Sequence, residues 1–252
     1  RRPELFHMSK IVEMGQTNEA PKWGIADLEI VFEDESLLVV NKPAGLPSQD
    51  TVDERRLSLY SLLQDSQRWP YLALHHRLDV PTSGLILFGK KKSANKAIGQ
   101  LFQEKTLKKT YWAVTCGEPG SDTFYRDCFL RAVKSTGGKQ LMRVVNSGGD
   151  PSRTDFSVLS RSAGHALVEC RPQTGRMHQI RIHLQSLSLP IAGDALYGRV
   201  DRRFPRLQLH ARCLEFAHPV THRPLRLEAS LPQDMKLVLE RLQLQAPGVT
   251  ES

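Results

Sequence analysis

Cysteine is scarce in this 252-residue chain: Cys116, Cys128, Cys170 and Cys213 lie far apart, with no C-x-x-C pair among them. That spacing excludes a disulfide framework and a thiolate zinc site, and with no secretory leader it points to reduced thiols in a cytoplasmic protein. No apolar run approaches the ~20 residues needed to cross a bilayer, so a soluble protein with no membrane partner is expected. Neither G-x-G-x-x-G nor G-x-x-x-x-G-K-[ST] occurs, which removes the usual nucleotide-cofactor loops. His218 and His222 stand four apart, but Pro219 and Pro224 break any helix that would bring them to one face. His178 and His183 stand five apart, the wrong step for one helix face, so a metal site is not expected.

Lysine is missing from the whole stretch between Arg161 and Arg226, which holds eleven Arg against Glu169, Asp194, Asp201 and Glu215. This stretch supplies most of the formal net charge of +8. A separate lysine cluster comprises Lys90, Lys91, Lys92, Lys96, Lys105, Lys108 and Lys109. Arginine makes planar, forked contacts with phosphate and lysine acts as a mobile point charge, so the two clusters suit a polyanion; two solvated basic faces are the alternative.

The chain is 40% hydrophobic and can bury a sizeable core. Short strands are predicted at Ile30–Phe32, Leu37–Val40, Ile86–Phe88, Tyr111–Thr115, Leu141–Val145, Asp155–Leu159, Ala166–Cys170, Leu207–Leu209, Cys213–Phe216 and Leu225–Glu228. Helices are predicted at Leu57–Gln64, after an N-cap at Ser93 through Phe102, and at Met177–Ser186 with Met177, Ile180 and Leu184 on one stripe. Strands dominate and helices are scattered, so the expected class is α+β, a mainly antiparallel mixed sheet with flanking helices around a central cleft. Residues 1–24 read as a partly disordered extension, 25–245 as one catalytic domain and 246–252 as a tail. With no heptad and no large apolar stripe on a surface helix, a monomer is expected.

One carboxylate is conspicuous. In His75-His76-Arg77-Leu78-Asp79-Val80-Pro81-Thr82-Ser83-Gly84, Asp79 sits among cations and turn formers, immediately before the apolar run Leu85–Phe88. A glycosidase needs two cooperating carboxylates, and this stretch offers one. A pyrimidine base can delocalise the electrons of its own glycosidic bond, so a single carboxylate suffices for nucleoside chemistry.

The stretch resembles the H-R-L-D-x-x-T-S-G motif of the RluA family of pseudouridine synthases. "VVNKPAGLPSQ" (39–49) is similar to the family's N-K-P-x-G signature, "LKKTYWAV" (107–114) to its K-x-Y segment, and "TGRMHQIRIHL" (174–184) to its G-R-x-H-Q-[IL]-R-x-H block. "LPIAGDALYG" and "LQLHARCLEFAHP" resemble its C-terminal part, so the likeness runs in order over about residues 28 to 231. The resemblance implies isomerisation of uridine in tRNA or rRNA without a cofactor. By position, Asp79 is then the essential aspartate, Arg181 its ion-pair partner and Tyr111 the residue that stacks on the flipped uracil and takes the C5 proton. Arg77 would enter the RNA in place of the extruded base, and Arg77 and Asp79 share one face of an extended segment while Leu78 faces the core. Arg176 is expected near phosphate, His178 and Gln179 in the pocket wall, and Lys42 and Asp194 in structural roles. Many members carry an N-terminal S4 domain, for which residues 1–24 are too short and polar; the compact form is expected.

Read singly, Asp79 could cap a turn, Tyr111 could open an amphipathic strand and Arg181 could be a surface cation; together, in family order, they favour the site. Two rival functions remain at this point: an RNA-binding or chaperone protein with a vestigial site, and a nucleoside or glycoside hydrolase using Asp79.

Overall fold

The computed structural model describes residues 23–51, 57–135, 140–162 and 164–248. The expected N-terminal extension, apart from Trp23 and Gly24, and the end of the expected tail lie outside these residues. Trp23 packs against one buried cluster of the core and Ala246 against another.

The chain is α+β. Its strands are β1 (Glu29–Glu33), β2 (Leu37–Lys42), β3 (Ala73–Leu74), β4 (Ser83–Gly89), β5 (Lys108–Cys116), β6 (Thr123–Lys134), β7 (Gln140–Val145), β8 (Asp150–Ser162), β9 (His165–Pro172), β10 (Leu209–Ala217) and β11 (Pro224–Glu228). The helices are α1 (Leu59–Asp65), α2 (Asn95–Gln103), α3 (Gln179–Ser186) and α4 (Gln233–Arg241). One continuous sheet runs β1-β2-β4-β10-β5-β9-β8-β6-β7, with β3 added to β4 and β11 to β10. All pairings are antiparallel except β4 with β10, where Ser83 and Gly84 run parallel to His210 and Ala211.

Two-sided burial explains the apolar runs of the central strands. On β2 and β4, Leu38, Val40, Ile86 and Phe88 face α1, while Leu37, Val39, Leu85 and Leu87 face α2. On β5, Trp112 and Val114 pack toward α4, and Ala113 packs toward α3. Tyr111 shares the α3 face and touches the core beneath α1 as well, so it marks the seam between the two halves of the sheet.

Gly84 makes that seam possible. Its φ is +117°, and a Cβ there would lie 2.3 Å from the Ala211 carbonyl oxygen. Only glycine lets the β4 and β10 backbones meet at this point.

Several sequence expectations shift. Helix α2 begins at Asn95 after a 3-10 turn at Lys92–Ala94, so Ser93 lies inside that turn and is not the N-cap. Helix α3 begins at Gln179, because His178 adopts a left-handed conformation that no α-helix accommodates; Met177 is exposed and off the apolar stripe. Leu57 also lies outside its helix, which is capped by the Ser58 hydroxyl accepting from Ser61 N–H at 3.0 Å. Of the strands expected at Leu207–Leu209 and Cys213–Phe216, Leu207 and Gln208 precede any strand, while Leu209 and the whole second segment form one strand, β10, with an irregularity between Ala211 and Cys213 that breaks the alternation. Strand β6 was not legible because its residues are mostly exposed, with Leu130 alone buried. Helix α4 carries its signal only in Met235, Val238 and Leu239 over a short span.

Gly84→Ala is expected to cost about 3 kcal/mol or more, from a disallowed φ and a backbone collision. For a domain of this size that is a fall in Tm of about 10 °C, read by thermal unfolding.

Candidate active site

The sequence around Asp79 builds a turn and then ties it down. Thr82 N–H donates to the Asp79 carbonyl at 3.0 Å, closing a turn over Val80-Pro81, in which proline presets the backbone. The N-K-P segment that ends β2 and the loop after it clamp this turn. Gly45 N–H donates to Val80 O at 2.8 Å, and the Ser48 hydroxyl both donates to Leu78 O at 2.8 Å and accepts from Leu78 N–H at 3.0 Å. The Lys42 ammonium, fully buried, donates to the carbonyls of Pro43, Leu46 and Val80 at 2.9, 2.8 and 3.3 Å. Burial, and then the Arg206 charge, pull the Lys42 pKa down to about 7 against the opposing pull of Asp79. Lys42 therefore splices the two loops, in keeping with the structural role expected for it.

Leu78 is buried and Arg77 is exposed, as the alternation of an extended segment requires. His76 turns inward, where its Nε2 accepts from Leu87 N–H at 3.0 Å. Burial, with the Lys109 and His75 charges, lowers the His76 pKa to about 3, so the ring is a neutral acceptor that fixes the loop to β4.

Arg181 arrives from α3 and is only 3% exposed. Its Nε and Nη2 donate to Asp194 Oδ2 and Oδ1 at 2.9 and 2.8 Å, and its Nη1 donates to Asp79 Oδ2 at 2.9 Å. The fork thus grips one carboxylate with two donors and reaches a second with a third. The surface cation expected of an isolated helix position is replaced by a buried bridge, because the partners come from loops before β4 and after α3.

Asp194 is held in turn. Its Oδ1 also accepts from Leu196 and Tyr197 N–H at 2.9 and 3.1 Å. The preceding Gly193, with φ +73°, lets the Arg206 carbonyl approach to where a Cβ would otherwise stand, 1.9 Å away. Burial alone would raise the Asp194 pKa, but the Arg181 hydrogen bonds and charge outweigh it and hold the carboxyl below its ordinary value of 3.8. Burial likewise works against the Arg181 charge and is outweighed by Asp194 and then Asp79, which leave its pKa above the ordinary value.

Around this bridge lies an open cleft of about 1800 Å³, lined by Arg77, Asp79, Tyr111, Arg176, His178, Gln179 and Arg181 together with Lys105, Lys108 and Lys109. Every expected site residue therefore lines one cleft. Burial, and then the negative charge of Asp79, raise the Tyr111 pKa above its ordinary 10.0, so the residue is a neutral phenol at physiological pH. His178 Nε2 stands 3.7 Å from Asp79 Oδ2.

Gln179 differs from its neighbours. Its Oε1 accepts from Thr174 Oγ1 and Arg176 N–H at 2.7 and 3.0 Å, and its Nε2 donates to Arg153 O and Thr154 Oγ1, both at 3.0 Å. All four positions of the buried amide are taken by protein, so it shapes the loop before α3 and has none left for a ligand. Arg176 is partly exposed, with Nε donating to Pro151 O at 3.3 Å. Sequence reasoning passed over Tyr197, whose ring packs against the Arg181 guanidinium 5.2 Å from its centroid. The available signal was its place three residues after Asp194 in the motif already singled out.

Residues 36–186 match the family described as RNA pseudouridylate synthase. The chain belongs to that family. The dual-specificity RNA pseudouridine synthase RluA of Vibrio vulnificus is 38% identical over 202 residues, covering 77% of this chain and 79% of the relative. Ribosomal large subunit pseudouridine synthase C of Haemophilus influenzae is 34% identical over 246 residues, covering 92% and 76%. Among solved structures, human RNA pseudouridylate synthase domain containing 4 superimposes with a TM-score of 0.72 at 28% identity, covering 87% of this chain and 94% of that one. This pseudouridine synthase is accordingly an RNA isomerase, acting on uridine, and the hydrolase and pure binding readings fall away with the family.

Asp194 lends this pseudouridine synthase stability that is complete above its ordinary pKa of 3.8 and is lost as pH falls through its lower folded value. Asp194→Asn is expected to remove that acid-side slope and, by leaving Arg181 underpaired, to cost about 3 kcal/mol at neutral pH. Urea unfolding from pH 2 to 7 measures both effects.

Proposed function

We propose that this chain isomerises specific uridines of tRNA or rRNA to pseudouridine, with Asp79 as the reacting carboxylate. The carrying observation is the asymmetry of Asp79 in the cleft: Oδ2 is tied to Arg181 Nη1 at 2.9 Å, while Oδ1 takes no hydrogen bond from the described residues. One oxygen orients the group and the other is available to the nucleoside. The guanidinium, which cannot lose its proton, keeps a fixed positive charge beside this carboxylate when RNA closes the cleft and removes water.

The reaction breaks the N1–C1' bond, turns the uracil and bonds C5 to C1'; C5 gives up its proton and N1 gains one, so no atom is lost. Tyr111 stacks on the extruded base. Its neutral phenol can take the C5 proton only by passing on its own, and N1 is the position that gains one. Arg77, exposed at the rim, enters the space the base vacates. Arg176 and the lysines of the cleft meet phosphate, and His178 and Gln179 form the wall. A cytoplasmic monomer of one catalytic domain over residues 25–245 fits this reading. The ribosomal assignment of one relative fits the second of the two RNA classes named.

Two measurements test the proposal. Wild type and Asp79→Asn are incubated with bulk tRNA and rRNA from cells lacking the protein, and pseudouridine is quantified. Wild type is expected to form it, and the variant to retain less than roughly one thousandth of the rate. An equally active variant, or no product from wild type on any RNA, overturns the reading. RNA affinity should fall on the order of a hundredfold between 50 and 200 mM salt if about five phosphates are neutralised, and salt-insensitive binding counts against the basic cleft as the RNA path.

A further inference from the structure

His178 opens α3 in a conformation a non-glycine residue rarely adopts, with φ 54° and ψ 17°. Such positions persist when surrounding contacts over-determine them, and here the ring is held on both sides. Nδ1 lies 2.9 Å from the Tyr197 hydroxyl, Nε2 lies 3.7 Å from Asp79 Oδ2, and the ring meets the Tyr197 ring edge-on at 5.6 Å.

The Tyr197 hydroxyl favours one placement of the ring hydrogen. Met142 N–H on β7 is 2.8 Å from the same oxygen, and a backbone N–H can only donate. The tyrosine oxygen is therefore an acceptor toward β7, and its own hydrogen has one acceptor among the described residues, His178 Nδ1. A neutral imidazole that accepts at Nδ1 carries its hydrogen on Nε2. Burial lowers the His178 pKa, with Arg181 acting the same way against Asp79 and Asp194, which keeps the ring neutral.

We propose that Tyr197 is a positioning residue for the isomerisation: through its hydroxyl it fixes His178 as the Nε2–H tautomer, so that an N–H and not a lone pair faces Asp79 Oδ2. At 3.7 Å this is an electrostatic contact, not a hydrogen bond. It adds a second positive pole to the oxygen already held by Arg181, and so directs Oδ1 to the nucleoside. With the other tautomer the imidazole lone pair would oppose the carboxylate and turn it out of line. The same phenol packs its ring on Arg181, so one side chain backs both groups that hold Oδ2.

The inference rests on Asp79 being the reacting carboxylate, and its test is separable from that reading. Tyr197→Phe keeps the ring on Arg181 and removes only the hydroxyl. The expected result is a fall in kcat of about tenfold with KM for RNA within twofold, since one polar contact near the reacting group is lost and no RNA contact is. In ¹⁵N-labelled protein, His178 should move from the Nε2–H form toward the Nδ1–H form. Loss of the Met142 contact could instead act through β7, so Tyr197→Phe is also made in the His178→Gln background. A Gln side chain has no tautomer for Tyr197 to set, and there the hydroxyl should be worth less than twofold.

An unchanged kcat in Tyr197→Phe, an unchanged His178 tautomer, or a tenfold loss that persists in the His178→Gln background overturns the proposal. If Asp79→Asn is inactive while Tyr197→Phe behaves as wild type, only this inference fails. If Asp79→Asn remains active, the underlying assignment of Asp79 fails with it.

Discussion

A guanidinium buried beneath a sheet must find carboxylates or destabilise the fold, and Arg181 finds two. Asp194 takes Nε and Nη2 and Asp79 takes Nη1, so three of the five donors are fixed in one plane. Pairs on the surface of this protein, such as Arg203 with Asp201, contribute little. A buried bridge is different: breaking it leaves an uncompensated charge, at a cost on the order of 3–5 kcal/mol. That penalty ties α3, the loop after it and the loop before β4 into one arrangement around the carboxylate proposed to react.

The bridge can form only because the sheet brings those segments together. Its single parallel contact, between β4 and β10, places the loop that ends β4's approach beside Tyr111 on β5, which pairs with β10 at Ala211. Gly84 allows the two backbones to touch, and Gly193 does the same for the segment that presents Asp194. Beneath the loop, Lys42 spends its charge on three carbonyls and leaves Asp79 to Arg181. The carboxylate therefore sits at a seam between two halves of a sheet, open to a cleft on one side and braced on the other.

Much of this was legible without coordinates. The alternation at Arg77, Leu78 and Asp79 was enough to send Leu78 inward and its neighbours outward, because strand geometry is local. The apolar runs of β2 and β4 announced central strands for the same reason. Strand β6 was invisible because an exposed flank needs no apolar pattern, and α3 was extended too far because nothing in His178 itself announces a left-handed backbone. Gln179 lines the cleft as expected of a wall residue, but what fills the four hydrogen-bonding positions of its buried amide was not legible, because the partners come from two other segments, β8 and the loop before α3.

What the sequence determined by itself was the chemistry available: one carboxylate among cations, an arginine-rich stretch from Arg161 to Arg226 without lysine, and an ordered set of motifs resembling one enzyme family. Tertiary structure decided which atoms meet. Arg181 and Asp79 are 102 positions apart, and periodicity along a chain reports only neighbours three or four residues away. The division of Asp79 into a tethered Oδ2 and an open Oδ1, and the place of Tyr197 behind His178, depend on distances between loops. Those distances are set by close packing across the sheet and by where the buried charges can be satisfied together.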